Sequence, residues 1–194
     1  MLYENDILRI RVIEKEDLQL MKENRYSFDI RPFYRGIEDP SISQQEEWYE
    51  KLQKNQASKY YICEDLKKKH FYSIINFSSL NLLDRNANVG WYFLKNNTQN
   101  MNAGNSVIIF LDYLFSEVGL RKVYSDVISY NKKALKFNEK IGFKIEGKLR
   151  EHAFRYGVYN DLFLVGLLSE DFFKCTDKIR KKLKLDQRYE FIKN

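Results

Sequence analysis

Apolar and basic positions alternate through Leu8-Arg-Ile-Arg-Val12, the period of a strand, and the following 14–23 stretch carries Leu18 and Met21 at helical spacing. Lys59–Cys63, Phe71–Phe77 and Asn88–Phe93 are β-branched and aromatic runs separated by polar turns, which predicts an antiparallel meander. Val107, Leu111, Leu114 and Val118 mark one face of a helix that Gly119 ends, and Lys122–Ile128 reads as the next strand. Asn131 is a favourable helix opener and Gly142 a favourable stop, so a short helix is predicted between them. Ile145–Tyr156 and Tyr159–Leu168 flank Gly157 as a closing hairpin.

Between the first helix and the meander, Tyr26–Ile42 holds Pro32, Gly36 and Pro40 and is expected to be a loop or broken helix, either a substrate lid or a packed connector. A second helix is expected from Ser43, with Glu46 as its capping-box partner, running through Trp48, Tyr49 and Leu52. The order is strand, two helices, three strands, helix, strand, helix, two strands. That is an α/β domain built on one mixed sheet, assigned to residues 1–169. Residues 170–194, lysine-rich around Lys178–Lys184, form a basic C-terminal extension, expected to be helical and packed on or trailing from the same domain.

A chain of 194 residues that is 44% hydrophobic can bury one good core. Met1 leads directly to Glu4 and Asp6 without a basic leader or long apolar run, so a cytoplasmic protein without a membrane partner is expected. Cys63 and Cys175 are too few and too isolated for a disulfide framework or zinc site, and His70 and His152 cannot populate a metal cluster. The net charge of +6 favours an anionic ligand. No glycine-lysine-serine/threonine loop, GxGxxG turn or serine elbow is present, which removes the nucleotide-triphosphate, dinucleotide and serine-hydrolase readings.

Gln99, Asn100, Met101, Asn102, Ala103, Gly104 and Asn105 form a small, polar stretch leading into a helix. Several backbone N–H groups and the positive helix end can converge there on an anion, as a pyrophosphate cradle requires. Over roughly residues 7–168 the chain resembles the GNAT superfamily of N-acetyltransferases. Gln99-x-x-Asn102-x-Gly104 is similar to the family's acetyl-CoA signature, with Asn102 where glycine is usual. Asn131-x-x-Ala134-x-x-Phe137-Asn138-x-x-x-Gly142-Phe143 is similar to its second motif, with Asn138 where tyrosine is usual. Glu146-Gly147-Lys-Leu-Arg150-Glu151-His152 followed by Tyr156-Gly157-Val-Tyr159-Asn-Asp161 resembles the tail of the ribosomal-protein, spermidine and amino-sugar branches.

The resemblance implies a mixed, mostly antiparallel sheet whose fourth and fifth strands splay, and acetyl-CoA as cofactor. Its contacts would be the backbone of Trp91, Tyr92 and Phe93, the 99–105 stretch, Asn131 and Asn138. A left-handed turn is expected at Asn102, a residue that tolerates it. Asp126 is the favoured base and Glu151 the second. Asn138 can donate a hydrogen bond to the sulfur of CoA but cannot readily give up a proton, and Asn88 stands where relatives often carry glutamate.

Arg25-x-x-x-x-x-Arg31 and Gln45-Glu-Glu-Trp48-Tyr-Glu-Lys-Leu52 look most like the nucleotide-amino-sugar enzymes, including flagellin-sugar acetyltransferases. Arg25 and Arg31 would grip an acceptor phosphate or carboxylate, with Ser78, Asn88 and His152 as further substrate contacts. The expected partner is a small-molecule amine, in this branch a sugar nucleotide, with no nucleic acid. A homodimer is expected by family analogy. A ribosomal-type N-terminal or polyamine acetyltransferase and a non-catalytic acyl-CoA-binding module stand as alternatives.

Overall fold

A computed structural model describes residues 2–27, 30–34, 39–68, 70–94 and 100–185. Its elements in chain order are β1 (Tyr3–Glu4), β2 (Leu8–Val12), α1 (Asp17–Arg25), a short 3-10 turn (Arg31–Phe33), α2 (Ile42–Lys54), β3 (Lys59–Asp65), β4 (His70–Asn81) and β5 (Asn86–Phe93). There follow α3 (Met101–Ser116), β6 (Lys122–Ile128), α4 (Lys132–Lys140), β7 (Lys144–Arg155), β8 (Val158–Leu168) and α5 (Ser169–Lys182). The strands form one sheet in the order β1-β2-β3-β4-β5-β6-β8-β7, and among the described residues only the β5–β6 pairing is parallel.

Local chemistry explains where several predicted boundaries moved. The first helix begins at Asp17 instead of near Glu14, because the Asp17 carboxylate accepts from the Glu14 N–H at 2.7 Å and holds 14–17 as a turn. The second helix is capped by Ser41, not Ser43. Ser41 Oγ accepts from the Gln44 N–H at 3.2 Å, and Gln44 Oε1 accepts from the Ser41 N–H at 2.8 Å, a complete capping box. The two-residue β1 is too short to leave a periodic signal.

The sheet separates two layers of packing. On one face Val89, Trp91, Phe93, Val123 and Val127 pack with α3, whose Val107, Ile109, Phe110, Leu111 and Leu114 are wholly buried. A helix apolar on nearly every side is a core element, and each such large side chain contributes about 1.5–3 kcal/mol by leaving water. On the other face α1 and α2 bring Leu18, Met21, Trp48 and Leu52 onto Ile62, Ile74 and Tyr92. The C-terminal helix α5 lies against α3: Phe172 is fully buried and its ring meets Phe115 at 5.2 Å. Among the described residues, no helix is long and apolar enough to cross a membrane.

Candidate active site

The parallel pairing of β5 with β6 is confined to Asn86–Lys122, Ala87–Val123 and Asn88–Tyr124, although β5 continues to Phe93 and β6 to Ile128. Beyond Asn88 the two strands part, the splay expected of the fourth and fifth predicted strands. The hydrogen-bond alternation shows what faces the gap. Leu94 N–H donates to Tyr72 C=O, so by antiparallel periodicity Asn88, Gly90 and Tyr92 exchange bonds with β4, while the backbone groups of Trp91 and Phe93 point away from β4, into the gap. Trp91 and Phe93 therefore present the unpaired backbone; that of Tyr92 is spent within the sheet.

On the α3 face, the gap is lined by aromatic edges. Phe137 of α4 meets Trp91 at 6.1 Å and Phe93 at 5.8 Å between ring centroids, and Trp91 meets Phe143 at 5.9 Å. The first turn of α3 closes on the same cluster, because a Cβ at Gly104 would lie 3.7 Å from Phe137 Cε2. Asn100 is the N-cap, its Oδ1 accepting from the Asn102 N–H at 2.8 Å. Asn102 is a regular residue of the first helical turn and not in the left-handed region, so the strain expected there is absent. Ala103 is buried in the core, Met101 is exposed and Asn105 half-buried; Gln99 lies outside the described residues.

Asn102 Nδ2 donates to the Tyr72 hydroxyl at 3.4 Å, and that hydroxyl donates to Asp65 Oδ2 at 2.5 Å. The Tyr72 hydroxyl, helped by the Lys68 and Lys67 amides, holds Asp65 below the ordinary carboxylate range. Tyr72 and Asp65 thus brace the helix entry, a role no sequence motif marks.

In α4, Asn131 uses its side chain to cap the helix, accepting from the Ala134 N–H at 3.1 Å. Asn138 is 4% exposed, and its Oδ1 is buried without a hydrogen-bond partner among the described residues. A buried, unfilled acceptor asks for a donor from outside the protein. Together with the positive N-terminus of α3 and the backbone of Trp91 and Phe93 that faces the gap, it fits the pantetheine of acetyl-CoA, whose amide N–H groups can donate to Asn138 Oδ1, with the pyrophosphate at α3.

The opposite face of the gap holds the remaining predicted residues. Side-chain alternation puts Asn88, Gly90 and Tyr92 of β5 on the same face as Tyr124 and Asp126 of β6, across the gap from one another. Ser78 Oγ donates to Asn88 Oδ1 at 3.4 Å, so these two are joined at the mouth. Glu151 and His152 are exposed on a bulge of β7, where Glu151 has φ 51° and its N–H donates to Asp161 Oδ1. With β8 lying between β6 and β7, the structure sets Asp126 on the strand bordering the gap and Glu151 two strands away.

The predicted arginine pair separates. Arg31 opens the 3-10 turn and is exposed, whereas Arg25 ends α1 and lies inward against the Tyr34 and Tyr92 rings. The 3-10 turn is docked over the end of β6. The Tyr130 hydroxyl donates to Pro32 C=O, the Phe33 and Tyr130 rings are 5.7 Å apart, and Arg155 Nη2 donates to Tyr34 C=O at 3.2 Å. Of the two expectations for this segment, lid or packed connector, the described part Arg31–Tyr34 has the tethers of a packed connector. Among the described residues, no group of histidine, cysteine and acidic side chains is arranged to hold a metal.

Residues 8–144 match the family described as acetyltransferase (GNAT) domain. The chain is 28% identical over 160 residues to the spermidine N(1)-acetyltransferase of Vibrio cholerae serotype O1, spanning 81% of this chain and 91% of that protein. A crystal structure of spermidine N-acetyltransferase from Vibrio cholerae in complex with CoA and spermine superposes with a TM-score of 0.80 at 25% identity, covering 87% of this chain and 99% of that one. A dodecameric structure of that Vibrio cholerae enzyme in an intermediate state gives 0.73 at 27% identity, over 86% and 96% of the two chains. The acetyltransferase expectation stands. The amino-sugar branch, to which the Arg25–Arg31 and Gln45–Leu52 patterns pointed, finds no support in these relatives, which are named for a polyamine.

Proposed function

The chain belongs to the GNAT acetyltransferase family, and from that premise we propose that its acceptor is a small aliphatic primary amine, the chemical class of the polyamines for which these relatives are named. It is an acyltransferase, and its acyl donor is acetyl-CoA. The observation that supports the site assignment best is the gap beyond Asn88 and Tyr124, into which Trp91 and Phe93 turn unpaired backbone groups.

Acetyl-CoA supplies a thioester carbonyl at the gap, which the neutral amine attacks directly. The N–H groups of Trp91 and Phe93 donate to the oxygen on which charge develops. Asp126, from the acceptor face, takes the proton that the nitrogen must lose. Asn138 orients the sulfur through its amide without protonating it, so the leaving thiolate takes its proton from water. Holding amine and carbonyl in one gap removes most of the entropic barrier, and catalysis leans on that proximity. Self-association, expected as a homodimer, is part of the proposal, and a dodecamer is the state named for one relative.

The test follows free CoA release with acetyl-CoA and spermidine, spermine, short diamines, amino-sugar nucleotides and N-terminal peptides. Turnover of aliphatic amines alone is expected, slowed by Asp126→Asn on the order of a hundredfold or more in kcat. Turnover of peptides alone would reinstate the N-terminal acetyltransferase alternative. Absence of thermal stabilisation by any acyl-CoA would remove the cofactor assignment for this gap.

A further inference from the structure

On the acceptor face of the gap, β4 contributes a side chain that no motif marks. Ile74 packs with Tyr92 in the core under α1 and α2, so strand alternation puts Asn76 and Ser78 on that same face. The register then defines two cross-strand rows. Ser78, Asn88 and Tyr124 make the first, where β5 and β6 still pair. Asn76 and Gly90 are partners in the second, and Asp126 continues it on β6, two positions beyond Tyr124, where the strands have parted.

Gly90 is what lets Asn76 reach the gap. A Cβ built on Gly90 would stand 3.0 Å from Asn76 Oδ1 and 3.7 Å from its Cγ and Nδ2. A Cβ projects out of the sheet, so the Asn76 carboxamide lies over Gly90, leaning from β4 toward the gap with its oxygen closest. Asn76 is half-buried, and its amide oxygen is an acceptor that does not titrate.

The second row therefore sets a neutral oxygen on one side of Gly90 and a carboxylate on the other, beside the Trp91 backbone that faces the gap. A neutral primary amine has one lone pair and two N–H groups. With the lone pair aimed at the thioester carbon, one N–H donates to Asp126, which takes that proton, and the other donates to Asn76 Oδ1. The second bond fixes rotation of the amino group and so aims its lone pair. The amide product keeps that second N–H. A secondary amine has a single N–H and leaves one of the two acceptors unmet.

Resting on the reading of the chain as an amine acetyltransferase, we infer that Asn76 is an acceptor-binding residue, which holds the second N–H of the attacking amine and makes the site selective for primary over secondary amines. Gly90 serves it by leaving the space over β5 that the carboxamide occupies.

The experiment follows CoA release by the full chain with putrescine and with its N,N′-dimethyl derivative, in which each nitrogen keeps one N–H. The native chain should favour putrescine in kcat/KM on the order of tenfold or more. Asn76→Leu keeps the shape and removes the acceptor. It should lower kcat/KM for putrescine on the order of tenfold or more at an unchanged KM for acetyl-CoA, and lower that for the dimethyl derivative far less, so the preference narrows. Asn76→Asp, which keeps an oxygen in place, should retain the preference. If Asn76→Leu does not fold, Asn76→Ala decides by the same ratio. No preference in the native chain, a preference unmoved in the variants, or an equal loss with both amines alongside a raised acetyl-CoA KM would overturn the inference, the last marking a structural role. If no amine releases CoA, the acetylation reading itself fails, and Asn76 is judged by calorimetric titration of putrescine into the chain with CoA present. Binding weakened in Asn76→Leu supports the contact, and no binding by the native chain, or equal binding by the variant, refutes it.

Discussion

Arg180 donates its Nε to Asp112 Oδ1 at 2.6 Å, with Asp112 fully buried and Arg180 9% exposed, and this contact fastens α5 to α3. The Arg180 guanidinium also lies 4.6 Å from the Phe173 ring centroid. A stretch that composition presents as a lysine-rich extension is therefore, through Lys182, part of the domain's core.

Removing one partner of this pair strands the other charge in the interior. Arg180→Ala and Asp112→Ala are each expected to cost about 3–5 kcal/mol, more than truncating an exposed pair such as Lys181–Asp177. Urea unfolding with a shared m-value checks this. A double substitution to Met and Leu should recover much of the loss, because two well-packed apolar groups leave no stranded charge.

Gly142 follows α4 with φ +103°, and a Cβ there would stand 3.0 Å from the Asp171 carbonyl oxygen and 3.1 Å from Leu167 Cδ1. Backbone cannot move aside as a flexible side chain can. Gly142→Ala should destabilise by at least about 1–3 kcal/mol, read as a lowered Tm. Gly157→Ala, at φ +80° with nothing within 4 Å, should cost less.

Gly104 lies in the first turn of α3 with room for a Cβ. Gly104→Asp places a carboxylate where the helix end favours negative charge, so Tm should hold or rise. The same charge would oppose a pyrophosphate. A KM for acetyl-CoA raised on the order of tenfold or more is expected, corresponding to about 1.4 kcal/mol, and an unchanged KM would move the cofactor elsewhere.

Asp65 has a depressed folded-state pKa, caused first by the Tyr72 hydroxyl and then by the Lys68 amide. A depressed carboxylate stabilises the fold above its unfolded pKa, and that contribution is lost as pH falls through the folded value. Asp65→Asn should lower Tm most at neutral pH, and the gap to the native chain should close below about pH 4. A gap independent of pH would mean the carboxylate charge is not what matters.

Much of this architecture is written locally. The Lys122–Ile128 strand and the Asn131 and Gly142 boundaries of α4 follow from side-chain period, an amide that can cap, and a residue free to take positive φ. Corrections arose where two local signals competed. Ser41 and Ser43 can each cap, and only the reciprocal bond to Gln44 selects Ser41. Asn102 looked like a glycine substitute in a strained turn, but Asn100 caps the helix and makes Asn102 an ordinary helical residue.

The candidate site was legible as motifs and not as an arrangement. By itself the sequence determined the elements, the acetyltransferase resemblance and the substitution at Asn138, because each depends on residues close together in the chain. Tertiary structure alone decided that Trp91 and Phe93 offer the unpaired backbone, that Arg25 turns inward while Arg31 does not, and that Asp126 borders the gap while Glu151 stands two strands off. Those outcomes depend on register, strand order and burial among residues far apart in sequence, which no local pattern encodes.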